Sequence, residues 1–243
     1  IQSYSIPKER IKNLLPETSW SANAEVEIKP IPGKLTMNVN YFRNQISHLI
    51  DAMPTAMKTN NALIYTYYNL NKVYTQGVEA NISYQIIKDL NVSAGYNFVE
   101  AKDYEVLKKI SDGKVFRRDP NTLETERVSK KDYGGLFDRS KHSFNVKVFY
   151  ENKKYGFNTY LRVIYNGKYG WADTNGNEIL DVASEYAKGY TLMNFSFTKS
   201  IKNKYHFTVG LDNMLNVKQP KYIPAMNGIT GIIGFSVNFL NTQ

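Results

Sequence analysis

Leu90, Val92, Ala94, Tyr96 and Phe98 alternate with Asn91, Ser93, Gly95 and Asn97. A period of two places the first set on one face of an extended strand and the second set on the other. Comparable alternation recurs in about nine segments, at Trp20–Ile28, Leu35–Arg43, Val78–Ile86, Leu90–Phe98, His142–Tyr150, Phe157–Tyr165, Tyr190–Thr198, Tyr205–Asn213 and Gly231–Phe239. In nearly all of them an uncharged, aromatic-rich face lies opposite a face of Asn, Ser, Thr, Glu and Lys. An antiparallel sheet of this kind must cover its apolar face. No second apolar layer is available, so the expected cover is lipid. Each segment is about nine residues long, and that length, tilted, crosses the hydrocarbon layer of a bilayer.

The connections support an all-β, transmembrane antiparallel barrel. KPIPGK, IKD, ENKKYG and SIKNKY are short, whereas Asn44 to Gly77, Val99 to Lys141, Asn166 to Gly189 and Met214 to Thr230 are long, in strict alternation. Transmembrane barrels have short periplasmic turns and long extracellular loops. On that orientation the last strand runs from outside to periplasm and Ile1–Ser19 begins as an extracellular segment. The 19 Tyr and 12 Phe residues suit aromatic girdles at the two membrane rims, where a ring is buried and a hydroxyl stays wet. There is no Cys, which excludes a disulfide framework and Cys-based zinc or thiol chemistry.

The net charge of +9 is spread over turns and loops, with no nucleic-acid motif beside it, which argues against nucleic acid as a partner. No apolar run is long enough for a helical span, and no signal peptide opens the chain. Nine strands is an odd count, whereas single-chain bacterial barrels normally have an even one. An open sheet in lipid leaves two costly edges of unpaired backbone groups. The sequence is therefore expected to be part of a longer chain, with residues 1–243 lying within one barrel domain.

Four stretches carry a family resemblance. Asn13-Leu14-Leu15-Pro16-Glu17-Thr18 resembles the N-x-L-x-P-E stretch ahead of a late barrel strand in TonB-dependent outer-membrane receptors. Asn71 to Glu79 resembles that family's N…G-V-E strand entry, carried here by Gly77-Val78-Glu79. Gly210-Leu211-Asp212-Asn213-Met214-Leu215-Asn216 resembles the N-L-F-D/N stretch before the last extracellular loop. Phe235–Phe239 resembles the closing strand, although Leu240-Asn241-Thr242-Gln243 follow where the family usually ends on its aromatic.

The resemblance implies the last nine strands of a roughly 22-stranded barrel enclosing a plug. It further implies Gram-negative outer-membrane location and import of a scarce large nutrient such as a ferric siderophore, haem or cobalamin, with no enzymatic step. The composition also looks Bacteroidetes-like. Implied partners are outer-membrane lipid and lipopolysaccharide, the N-terminal part of the same receptor, TonB acting through the plug, and a surface lipoprotein. Phe239 would be the terminal aromatic read during barrel assembly.

Ligand specificity is expected in the loops, which a rigid barrel presents as a cup. Lys108, Lys109, Arg117, Arg118, Lys130 and Lys131 lie in the loop Val99–Lys141, which has no clear strand pattern. They would meet an anionic ligand or lipopolysaccharide phosphates, or would simply solvate the loop. Asp173, Asn175, Asn177, Ile179 (through its carbonyl) and Asp181 follow the first, third, fifth, seventh and ninth positions of a calcium loop. Glycine stands at the fourth position instead of the sixth, and the twelfth is Ser184, with Glu185 next. The same residues also make an Asn-Gly turn. His48, His142 and His206 have no ligand spacing. The remaining alternatives are another outer-membrane barrel, as a porin or barrel enzyme, and a soluble adhesive β-sandwich.

Overall fold

The computed structural model describes residues 14–57, 63–118, 122–202 and 204–239. Nine strands form one antiparallel sheet. In chain order these are β1 (Thr18–Ile31), β2 (Leu35–Met57), β3 (Leu63–Ile87), β4 (Leu90–Asp103), β7 (His142–Asn152), β8 (Phe157–Asn166), β11 (Tyr190–Ile201), β12 (Tyr205–Asp212) and β13 (Thr230–Val237). Each pairs with the next, so the sheet is a simple meander. The long connection after β4 holds helix α1 (Tyr104–Ser111) and the small hairpin β5 (Phe116–Arg118) and β6 (Thr125–Arg127). The connection after β8 holds β9 (Tyr169–Gly170), a 3-10 turn at Ala183–Glu185 and β10 (Tyr186–Ala187).

All nine expected strands are present, but several are longer than the nine residues anticipated. The segment Asn44–Gly77, expected as a long loop, is mostly ladder, because β2 and β3 stay paired from Leu35↔Tyr84 to Met57↔Leu63. The apolar stretch is shorter than the strands. Across β2, β3 and β4, outward rows such as Val39–Ala80–Tyr96 and Tyr41–Val78–Phe98 give way one row higher to Arg43–Gln76–Glu100. This switch marks the top of the hydrocarbon zone, and Leu90–Phe98 keeps the expected nine-residue span below it. The hairpin continues far above, since β2 alone runs for 23 residues, or about 75 Å at 3.3 Å per residue.

The register separates two faces cleanly. Tyr96↔Phe144↔Tyr165, Ala94↔Val146↔Val163 and Val92↔Val148↔Leu161 line up on one face. Asn97, Gly95 and Ser93 lie on the other, opposite Ser143, Asn145 and Lys147. The first face is the lipid side and the second the lumen. Aromatics cluster near the short-turn end as well, with Tyr150, Phe157 and Phe197 in contact through rings 5.9 and 5.5 Å apart. Thus both rims carry girdles.

The short-turn end has only residues 32–34, 88–89, 153–156 and 202–204 between strands. Among the described residues the sheet is open, with β1 and β13 each paired on one side only. The expected last strand Gly231–Phe239 stops at Val237. The Asn238 N–H adds one more bond, to the Lys204 carbonyl at 2.9 Å, and the Phe239 side chain is exposed. Residues 1–13 and 240–243, including Asn13 and the Leu240–Gln243 tail, lie outside the described residues. No helix among the described residues is long and apolar enough to cross a membrane, which leaves strands as the spanning elements.

Candidate functional site

The buried core of the molecule is not in the sheet. It sits above it, where the two longest connections meet: Ile110, Val115, Val128, Tyr133 and Ile179 form one cluster, with Val106 and Leu107 packed against it. Asp103, the last residue of β4, starts this layer by capping α1. Its carboxylate accepts the N–H of Glu105 at 2.6 Å, satisfying a donor the first helical turn leaves open. The Asp103 N–H in turn donates to the Tyr133 hydroxyl at 3.2 Å. Burial pushes the Tyr133 phenol well above its ordinary range, so it stays protonated.

The second connection is organised by Glu185, whose side chain is fully buried. The N–H groups of Thr174, Asp181 and Val182 donate to its carboxylate at 3.1, 2.7 and 3.1 Å. The sequence singled out its neighbours rather than Glu185 itself. Only its spacing, four residues beyond Asp181, hinted at this role. The two connections are then tied together. The Gly134 N–H donates to the Leu180 carbonyl at 2.6 Å, and the Asn177 amide to the Phe116 carbonyl at 3.3 Å.

Arg117 completes the joint. Its guanidinium lies 3.3 Å from Glu126, 3.8 Å from Asp132 and 3.9 Å from Asp181. It is therefore a structural crosslink and not a free ligand contact. Arg118 donates to the Leu123 carbonyl at 3.0 Å. Lys108 and Lys109 occupy the last turn of α1, where cations complement the helix dipole, and both are exposed. Lys130 is exposed on a turn, and Lys131 lines a cavity beside the top of β7 and β8. The six basic residues thus do not form one site.

The loop from Asp173 to Asp181 has the left-handed backbone a calcium loop needs at its sixth position, since Glu178 has φ +66° besides Gly176 at +78°. Its oxygen atoms, however, are already engaged. Asp173 accepts the N–H groups of Asn175, Gly176 and Glu178 at 3.1, 2.7 and 2.7 Å. Asn175 and Asn177 accept the N–H two residues on. Their amide groups donate to the two oxygens of Asp181 at 2.9 and 3.1 Å. Asp181 has no exposed side-chain surface, and the positive charge near it is that of Arg117. Among the described residues no three acidic or histidine groups converge on one point. As placed, the donor set does not fit a cation: the loop balances its own charge through Asx turns and an arginine.

The histidines serve as hydrogen-bonding partners within the sheet. Tyr96 and His142 meet at 2.7 Å on the lipid side, and His206 meets Ser200 at 2.9 Å. The His48 carbonyl accepts the Asn69 amide at 2.6 Å.

A family model described as TonB dependent receptor-like, beta-barrel, matches residues 2–216. The chain belongs to the TonB-dependent receptor family. It is therefore a piece of a Gram-negative outer-membrane β-barrel. No curated protein matches the sequence. Solved structures show the same fold at low identity. The ferric-catecholate import receptor Fiu of E. coli K12 has 14% identity and a TM-score of 0.60, over 98% of this chain and 30% of that one. The siderophore receptor PirA of Pseudomonas aeruginosa has 14% identity and a TM-score of 0.57, over 92% and 30%. The FrpB iron transporter of Neisseria meningitidis has 14% identity and a TM-score of 0.56, over 91% and 31%. The chain spans about 30% of the length of these receptors.

The stretches that resembled the TonB-dependent receptor family have physical roles. Gly77 faces Phe42 across the β2–β3 ladder, and a Cβ there would lie 2.0 Å from the Phe98 carbonyl oxygen. Asn213, buried and at φ +50°, gives its amide to the Val217 and Asn227 carbonyls, both at 2.8 Å, and accepts the Val217 N–H at 3.0 Å. It therefore pins both arms of the last extracellular loop. Glu17 accepts the Ile50 N–H at 2.7 Å, and Leu15 exchanges two bonds with Asn69 at 2.8 and 3.0 Å, docking the stretch before β1 onto the tall hairpin.

Proposed function

We propose that this chain is the C-terminal part of the barrel of a receptor that captures a ferric siderophore at its extracellular loops and imports it by energy-coupled passage. The observation that carries this reading is the apical layer, a folded surface with its own buried core and with exposed Lys108, Lys109 and Arg118 on ordered elements. A preorganised surface loses little conformational entropy on binding a large ligand. A general diffusion channel has no need of one. Members of this family are transporters rather than enzymes, and the neighbouring folds bear names of iron and siderophore receptors.

The energy source is read as TonB pulling on a plug held in the lumen. The lumenal face supports such an occupant: Asn38 Oδ1, Asn40 Oδ1, Asn97 Oδ1 and Arg162 Nε are buried polar atoms lacking a hydrogen-bond partner, an unfavourable state that a docked polar surface relieves. A surface lipoprotein over the loops is a further proposed partner.

The test is binding to the purified full-length receptor, by quenching of intrinsic fluorescence, of a ferric catecholate siderophore, haem and cyanocobalamin in turn. Saturable siderophore binding, weakened about tenfold by K108Q/K109Q at low salt, is the expected result. Binding of haem or cyanocobalamin with no siderophore binding overturns the choice of cargo.

A further inference from the structure

A cavity of about 570 Å³ lies beside the top of β7 and β8. Lys131, Arg139, Lys141 and Lys168 line it, with His142 and Tyr165. None of these four cations has an ion-pair partner among the described residues. The carboxylates nearby are otherwise engaged: Asp132 and Asp181, also on the wall, share Arg117, and Glu100 holds Lys102 at 3.0 Å. Gathering unpaired like charges around one hollow is unfavourable unless an anion enters it. Burial, and then the charges of Lys102 and Lys168, push the Lys141 ammonium below the ordinary lysine range, while Glu100 opposes the shift.

The register decides which way the cavity looks. His142 pairs with Phe98 and Tyr165 with Phe144, so both belong to the lipid-facing set, and Tyr96 bonds His142 on that side. Below the cavity lie the exposed rings of Tyr96, Phe144 and Tyr165, the upper aromatic girdle. The hollow thus stands at headgroup height on the outside of the barrel. We propose that it holds the phosphate-bearing headgroup of an outer-leaflet glycolipid, with the acyl chains lying on the Tyr96, Phe144 and Tyr165 strip.

This inference rests on the outer-membrane barrel reading and is independent of the cargo. The test uses the full-length receptor in detergent and native mass spectrometry with diphosphorylated lipid A, beside the same glycolipid with both phosphates removed. Wild type is expected to retain the phosphorylated form selectively, and K141Q/K168Q to lose about tenfold or more in affinity. K141R/K168R, which keeps the charge, should bind normally, as should K153Q/K154Q, which removes the same charge at the short-turn end. Equal retention of the dephosphorylated form, unchanged binding by K141Q/K168Q, or displacement by inorganic phosphate alone would overturn the proposal, the last by making the cavity a free-anion site. Siderophore binding measured on the same samples separates failure of the cargo reading from failure of this one.

Discussion

Between Leu90 and Phe98 every residue of β4 has a cross-strand partner in β3 or β7, and any one of those partners contributes what its neighbours contribute. Residues 171–187 instead hang on individual side chains: one Glu185 carboxylate satisfies three backbone N–H groups, and one Arg117 faces three acids. The sheet is redundant and the apical layer is not. Stability in the first is spread over a ladder, while in the second it is concentrated at a few atoms, so the layer can open without the sheet.

Substitution at Glu185 is the sharpest way to separate the two. Glu185→Gln loses acceptor capacity at a fully buried position and should cost about 3 kcal/mol locally. Hydrogen exchange across residues 104–141 and 171–187 should rise about a hundredfold while β4, β7, β8 and β11 keep their protection. Simultaneous loss in the sheet would show that the regions are one cooperative unit. Gly77→Val attacks the other side. A side chain forced against the Phe98 carbonyl and the Phe42 ring should cost about 2 kcal/mol, measurable as a lower unfolding midpoint with the apical layer still protected.

Asn213→Ala removes three side-chain bonds and places a Cβ-bearing residue of lower left-handed tolerance at φ +50°. A loss of about 1.5 kcal/mol, confined by proteolysis to residues 214–229, is expected; cleavage elsewhere would deny it a local role. Acid has a smaller effect. Hydrogen bonds from the Ser129 hydroxyl and N–H at 2.7 and 2.9 Å hold Asp132 below its ordinary range. A depressed carboxylate stabilises the fold above its usual value and ceases to do so as pH falls through the folded one. The layer should therefore loosen as pH drops below about 4, and Asp132→Asn should abolish that dependence. Calcium should do least: millimolar calcium is expected to leave the unfolding midpoint unchanged, and a rise would restore the cation reading of Asp173, Asn175, Asn177, Ile179 and Asp181.

The same contrast explains what was legible in the sequence. Period-two alternation repeats along each strand, so the nine strands, their faces and the short-turn end could be read from residue type alone. Strand length was misread where polarity changes, because above Arg43 and below Gln76 the ladder continues with side chains no longer chosen for lipid. The apical layer repeats nothing. Arg117 looked like half of a basic pair, yet its three partners come from distances of 9 to 64 residues along the chain. Glu185 was noticed only as a near miss for a metal position. The family-like stretches around Gly77 and Asn213 were recognisable, but their reasons, a ring packed on a bare backbone and a two-armed amide clamp, required the fold.

The edge at β13 has its own consequence for how such a barrel is made. Thr230–Val237 reads TGIIGFSV, with no charge and no proline, and β1 runs in the same direction as β13, so these two strands cannot close the seam on each other in antiparallel fashion. A flat uncharged margin bonds to whatever strand it meets first. Synthesis delivers this sticky margin late in the chain, when most of the wall already exists. The order of events then matters as much as the final energy: the seam must be chaperoned until its proper antiparallel partner is in reach, and a strand with a single added charge would buy patience at the expense of closure.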